Sequence, residues 1–223
     1  MPAASDSENP VRIQPADALS CLGDAGPAAG TPRSHFDVVA VVASAGGLSA
    51  LNQVLRPLPE NFNAALVIVQ HLGNPPSSLV EILGRHSPLP VQWIADHDSL
   101  SPGRVYVCPP QRLLEVMPDA ECLVRPMEQG HRFRPIDFFL VSLAHSYGQR
   151  AMVVVLTGMG RDSAAGSEIV SQAGGTVLVQ SPESAEHPTM PLAVIDTGVA
   201  DKVLPLPELG QAIADVVAGG ALP

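Results

Sequence analysis

The sequence predicts an α/β domain in which a largely parallel sheet is covered by helices on both faces. From residue 38 onward, short runs rich in valine and isoleucine alternate with longer stretches whose apolar residues keep helical spacing. The first such run, 38–43, is apolar throughout, as a buried strand is. Composition supports a packed fold: of 223 residues 46% are hydrophobic and 15% charged, enough apolar surface to offset the entropy of ordering the chain.

Residues 1–35 mix Pro, Ala, Gly, Ser and Asp without periodicity, so they are expected to form a flexible leader ahead of a single domain over 36–219. Strand 38–42 comes first. Gly46 and Gly47 turn it into a helix carrying Leu48, Leu51, Leu55 and Leu58, closed by Pro57 and Pro59. Strand 65–69 follows and runs into Gln70 and His71. A Gly/Asn/Pro loop then leads to a helix opened by Ser78, with Glu81 completing a capping box, and ending near Arg85. Strand 91–94 precedes the turn at 101–104, whose Pro-Gly pair fits type II, and strand 105–108 comes next. Segments 112–116 and 121–125 flank Met117-Pro118-Asp119-Ala120, a small antiparallel hairpin. Pro135 opens a helix bearing Phe138, Phe139 and Leu143, which Gly148 ends. Strand 152–156, the Thr157-Gly158-Met159-Gly160 loop and a helix to Ala173 come next. Strand 176–179, a Ser/Pro/Glu loop, a short helix around Ala193, strand 202–204 and a helix to Ala218 complete the chain.

Charge and hydropathy remove several function classes. Twelve Lys and Arg against 22 Asp and Glu leave a net charge of −10, which opposes binding to nucleic acid or an anionic membrane. The longest apolar runs fall well short of the roughly 20 residues that span a bilayer. The start of the chain has neither the basic nor the apolar region of a secretory signal, so the protein is expected in the cytoplasm without membrane insertion. Cys21, Cys108 and Cys122 form no CxxC or Cys/His cluster, and each reads as a free thiol. Neither glycine-rich phosphate-binding pattern is present, which argues against a nucleotide site at Gly46-Gly47.

Ligands of open parallel sheets bind beyond the carboxyl ends of the strands, and three reactive side chains stand there. Ser44 follows the first strand, His71 the second, and Asp162 follows strand 152–156. Together they are the complement of a Ser-His-Asp hydrolase. Each also has a plainer reading: Ser44 as a helix cap, His71 as a structural imidazole, and Asp162 as the cap of a helix starting at Ser163.

Val41-Val42-Ala43-Ser44-Ala45-Gly46-Gly47, Ile68-Val69-Gln70-His71 and Leu156-Thr157-Gly158-Met159-Gly160-Arg161-Asp162 resemble the three active-site motifs of the CheB-type chemotaxis receptor methylesterases. Arg134-Pro135-Ile136-Asp137-Phe138-Phe139, Met190-Pro191 and Val203-Leu204-Pro205-Leu206 resemble further segments, so the similarity spans about 37–215. The resemblance implies a doubly wound, predominantly parallel fold, and hydrolysis of glutamate γ-methyl esters on chemoreceptors, with deamidation of receptor glutamines as a second activity. It implies Ser44 as nucleophile, His71 as base and Asp162 as its partner. The oxyanion would be met by amides near Ala45, Gly46 and Met159, and no metal or organic cofactor would be needed. Four segments depart from the family pattern. Ala45 and Ser163 stand where threonine and glycine are usual, Leu72-Gly73 replaces the common Met-Pro, and Gln180-Ser181-Pro182 lacks an acidic residue. A non-catalytic relative that binds a receptor or related signalling protein is the alternative. Oligomeric state is left open. Family members commonly carry an N-terminal receiver domain, for which 36 residues before the first strand are too few. Deleting 1–33 is therefore expected to leave turnover within about twofold, with phosphodonors having no effect.

Overall fold

The structure, a computed structural model, describes residues 36–73, 76–127 and 134–223. The leader expected over 1–35 lies outside the described residues. The strands are β1 (Val38–Ala43), β2 (Ala65–Gln70), β3 (Val91–Trp93), β4 (Val105–Val107), β5 (Arg112–Val116), β6 (Cys122–Pro126), β7 (Ala151–Val155), β8 (Thr176–Gln180) and β9 (Lys202–Leu204). The helices are α1 (Gly47–Leu55), α2 (Leu79–Gly84), α3 (Pro135–Tyr147), α4 (Ala164–Gln172), α5 (Thr189–Ile195) and α6 (Leu206–Val217).

Seven strands form one sheet in the order β3-β4-β2-β1-β7-β8-β9, and every pairing in it is parallel. The sheet is built outward from β1: β2 pairs beside it, β3 takes the edge and β4 fills the place between β3 and β2, after which β7 pairs on the other side of β1 and β8 and β9 continue to the opposite edge. That is the doubly wound topology, and it places the switch point at β1, between β2 and β7. The expected hairpin forms from β5 and β6 and stands as a two-stranded sheet of its own.

Alternation within the buried strands feeds two cores. Val39, Val41 and Ala43 of β1, with Leu66 and Ile68 of β2 and Met152 and Val154 of β7, face α1, α2 and α6. Val38, Ala40 and Val42, with Val67, Val69, Val153 and Val155, face α3, α4, α5 and the hairpin. All six residues of β1 are buried because both faces are covered, which is why the sequence there is continuously apolar. Cys108 and Cys122 are free and buried, and burial pushes each thiol up to about 12.

Two local expectations differ from what is observed. Ser78 does precede α2, but its side chain makes no capping bond. The hydroxyl of Ser77 accepts from the Leu79 N–H instead, at 3.3 Å. Leu48 is exposed, because the apolar stripe of α1 runs through Ala50, Leu51, Val54 and Leu55.

Candidate active site

The strand ends at the switch point carry the three side chains singled out above. Parallel register aligns Ala43 of β1 with Gln70 of β2, and Val42 with Val155 of β7, so Ser44, His71 and the loop after β7 emerge at one edge of the sheet. The His71 N–H still donates to Ala43 O (3.2 Å), extending the ladder by one residue and fixing the imidazole beside Ser44.

Ser44 sits in a tight strand-to-helix turn. Its N–H donates to Thr157 O and its carbonyl accepts from the Gly47 N–H, each at 3.0 Å. Gly46 turns the chain with φ 76°, and a Cβ there would stand 2.8 Å from Glu186 Oε2. Gly158 is required by close approach too: a Cβ on it would lie 2.8 Å from the Ser44 Cβ and 2.9 Å from Met190 Sδ. A side chain at 158 would displace the serine itself, and one at 46 would be strained by its positive φ and would push the Glu186 side chain aside.

His71 bridges the other two. Its Nδ1 lies 3.2 Å from Ser44 Oγ and its Nε2 lies 2.7 Å from Asp162 Oδ2. A carboxylate accepts, so Nε2 carries the proton and the Nδ1 lone pair faces the serine hydroxyl. Serine proteases commonly present Nε2 to the serine; here the ring is wired through its opposite edge. The His71 side chain is 34% exposed and that of Asp162 only 10%, so the carboxylate side is shielded while the serine side opens to solvent.

Asp162 does not cap its own helix. Its Oδ2 also accepts from the Ile136 N–H at 3.2 Å, and its Oδ1 accepts from the Asp137 N–H at 2.9 Å. Those N–H groups belong to the first turn of α3, where intrahelical acceptors are lacking. The carboxylate thus takes three N–H groups and is held by a helix 25 residues away in sequence. The backbone N–H groups of Ala45, Gly46 and Met159 have no acceptor among the described residues. Met159 is 61% exposed. No group of three or more His, Cys, Asp or Glu placed to hold a metal ion occurs among the described residues.

A fold, three motifs and this constellation can be set beside known proteins. The family model of the CheB methylesterase matches residues 39–213. The chain belongs to the CheB methylesterase family. It is 38% identical over 196 residues to a protein-glutamate methylesterase/protein-glutamine glutaminase of Moorella thermoacetica, covering 84% of this chain and 46% of that one. It is 35% identical over 184 residues to protein-glutamate methylesterase/protein-glutamine glutaminase 4 of Myxococcus xanthus, covering 82% of this chain and 52% of that one. The chain thus spans about half the length of these curated relatives. The crystal structure of the Thermotoga maritima CheB methylesterase catalytic domain superposes with a TM-score of 0.75 at 32% identity, over 82% of this chain and 99% of that one.

Within this CheB-family domain, Thr157 and Gln180, present in the sequence segments above without an assigned role, support the site. The Thr157 hydroxyl donates to Ala45 O (3.1 Å) and accepts from the His187 N–H (2.8 Å), tying together the turn after β1 and the loop before α5. Gln180 is fully buried. It accepts from the Thr157 N–H through Oε1 and donates to Ser184 O through Nε2, both at 2.8 Å. A buried glutamine at the end of β8, where an apolar residue would ordinarily sit, is the sequence signal for this role.

Ser163 is under strain. It has φ 129° and ψ −17°, is fully buried, and its Oγ has no hydrogen-bond partner among the described residues. Such a backbone state costs a non-glycine residue about 1–3 kcal/mol. Glycine forfeits only about 0.5–1 kcal/mol of chain entropy. Ser163→Gly is therefore expected to raise the melting temperature by about 2–4 °C per kcal/mol relieved. Thermal denaturation of the two chains checks this, and a lower melting temperature in the variant would refute the strain argument.

Proposed function

We propose that this chain is a protein-glutamate methylesterase that hydrolyses glutamate γ-methyl esters on a chemoreceptor or related signalling protein, with deamidation of glutamines as a second reaction of the same site. The observation that carries the reading is the continuous chain of contacts from Ser44 through His71 to Asp162, at 3.2 and 2.7 Å. Ser44 Oγ attacks the ester carbonyl while its proton passes to His71 Nδ1. Asp162 holds Nε2–H and balances the imidazolium. The oxyanion is met by the free amides near Ala45, Gly46 and Met159, each worth about 3–4 kcal/mol in the transition state. As the tetrahedral adduct collapses, the carbon–methoxy bond breaks and Nδ1–H protonates the departing oxygen, releasing methanol. Water then attacks the acyl-serine, gives its proton to Nδ1, and regenerates Ser44 and a glutamate carboxylate. A glutamine substrate follows the same path with ammonia leaving.

A fluorophosphonate probe tests the nucleophile directly, since only an activated serine reacts at an appreciable rate. The wild-type chain is expected to label at Ser44 and to release methanol from a methylated chemoreceptor. A chain that labels nowhere and releases no methanol would instead be a binding module.

A further inference from the structure

Asp137 is the third residue of α3 and does not touch His71 or Ser44, yet it is buried beside the site. Its Oδ1 accepts from the Ser163 N–H at 3.0 Å and from the Gly166 N–H at 2.7 Å, both at the start of α4. Its own N–H donates to Asp162 Oδ1 at 2.9 Å. The first turns of α3 and α4 are therefore capped reciprocally: Asp162, just before α4, serves α3, and Asp137, within α3, serves α4. Among the described residues, neither N-cap residue, Arg134 or Ser163, makes a side-chain capping bond of its own.

This exchange is costly to build, which argues that it does more than close two helices. Burial pushes the Asp137 carboxyl up, the Gly166 N–H pulls it down, and the nearby Asp162 charge pushes it up again. A serine or threonine before α4 could cap that helix locally without bringing a second carboxylate beside Asp162. Ser163 occupies that place, but with its backbone at φ 129° its hydroxyl is left without a partner among the described residues. The bond from the Ser163 N–H to Asp137 is what offsets that conformation. Asp162 immediately precedes Ser163 in the chain, so the direction of its carboxylate depends on that bond.

We propose that Asp137 is a positioning residue for the esterase reaction, which fixes the Asp162 carboxylate on His71 Nε2 by pinning Ser163 and Gly166; the proposal rests on the esterase reading above. Its action runs through Asp162, and that gives it a signature a purely structural residue lacks. In the full chain, Asp137→Ala is expected to slow fluorophosphonate labelling by about tenfold to a hundredfold, as small displacements of catalytic groups do. In an Asp162→Asn background the same substitution should slow labelling less than about threefold, because the group it positions is already gone. Its effect on the melting temperature should persist in both backgrounds. Since Oδ1 takes both N–H groups and Oδ2, among the described residues, meets only Arg134 Nη1 at 3.5 Å, Asp137→Asn keeps both caps. It is expected to label within about fivefold of wild type.

The outcomes separate cleanly. A wild-type chain that does not label at Ser44 overturns the esterase reading and this proposal with it. If wild type labels and Asp137→Ala labels equally fast, or slows by the same factor in both backgrounds, only the positioning role falls. Should Asp137→Ala fail to fold, Asp137→Asn decides. An Asn variant that folds and labels within about fivefold supports the role of the cap, and one that is unfolded, or slower than that, overturns it.

Discussion

Ser44→Ala is expected to lower methanol release by about six orders of magnitude, the loss seen when the nucleophile of a serine hydrolase is removed, and to abolish fluorophosphonate labelling. The fold should hardly notice. Among the described residues the lost hydroxyl makes one hydrogen bond, to His71 Nδ1 at 3.2 Å, while the turn around it is held by backbone bonds to Thr157 and Gly47 that alanine keeps. One such bond is worth about 0.5–1.5 kcal/mol, so the melting temperature should move by only a few degrees. Turnover assays and thermal denaturation on the same preparation make the comparison. A variant that retains turnover while folded places the nucleophile elsewhere and ends the mechanism proposed above.

Asp162→Asn is expected to reduce turnover by about ten-thousandfold, the loss known for an aspartate-to-asparagine change in a serine triad. Here it should also destabilise the chain. Both oxygens of Asp162 are acceptors: Oδ1 for the Asp137 N–H, Oδ2 for His71 Nε2 and the Ile136 N–H. An asparagine must turn its NH2 toward one of those sets and leave donors facing donors, at about 1–3 kcal/mol for each buried group left unpaired. Asp162→Ala unpairs all of them and should be less stable still. If Asp162→Asn melts like wild type and turns over nearly as fast, both the orienting role and the cap are wrong.

Much of this was legible in the sequence because burial on both faces leaves a plain mark. The valine-rich segments at β1, β2, β7 and β8 could only be interior strands, and the Gly-rich turn after β1 could only lead tightly into a helix. Ser44, His71 and Asp162 stood out by position, since each follows a strand at the edge where parallel sheets bind ligands. What remained hidden depends on pairs of elements. Asp162 reads locally as a cap for α4, and nothing in the spacing says that it reaches α3 while Asp137 returns the contact. The ring edge that His71 presents to Ser44 is likewise set by the distance between neighbouring strands. Leu48 fits the helical stripe of α1, but whether it is covered depends on where the stripe meets the sheet.

The sheet's connectivity also has a bearing on how competence is acquired during synthesis and refolding. The contacts of His71 with Ser44 and Asp162 join residues 27 and 91 positions apart, and every strand pairing around them is parallel and therefore non-local. Loop-closure entropy must be met before such pairings give anything back, which puts a fold of this kind among the slower ones. A chain emerging from the ribosome has its serine and histidine long before it has the aspartate, and even then α3 must dock before that carboxylate has a direction. On the proposed mechanism, esterase activity recovered after denaturation is expected to lag behind compaction and helix formation, and the regain of labelling at Ser44 to mark the moment at which the two halves of the sheet have joined.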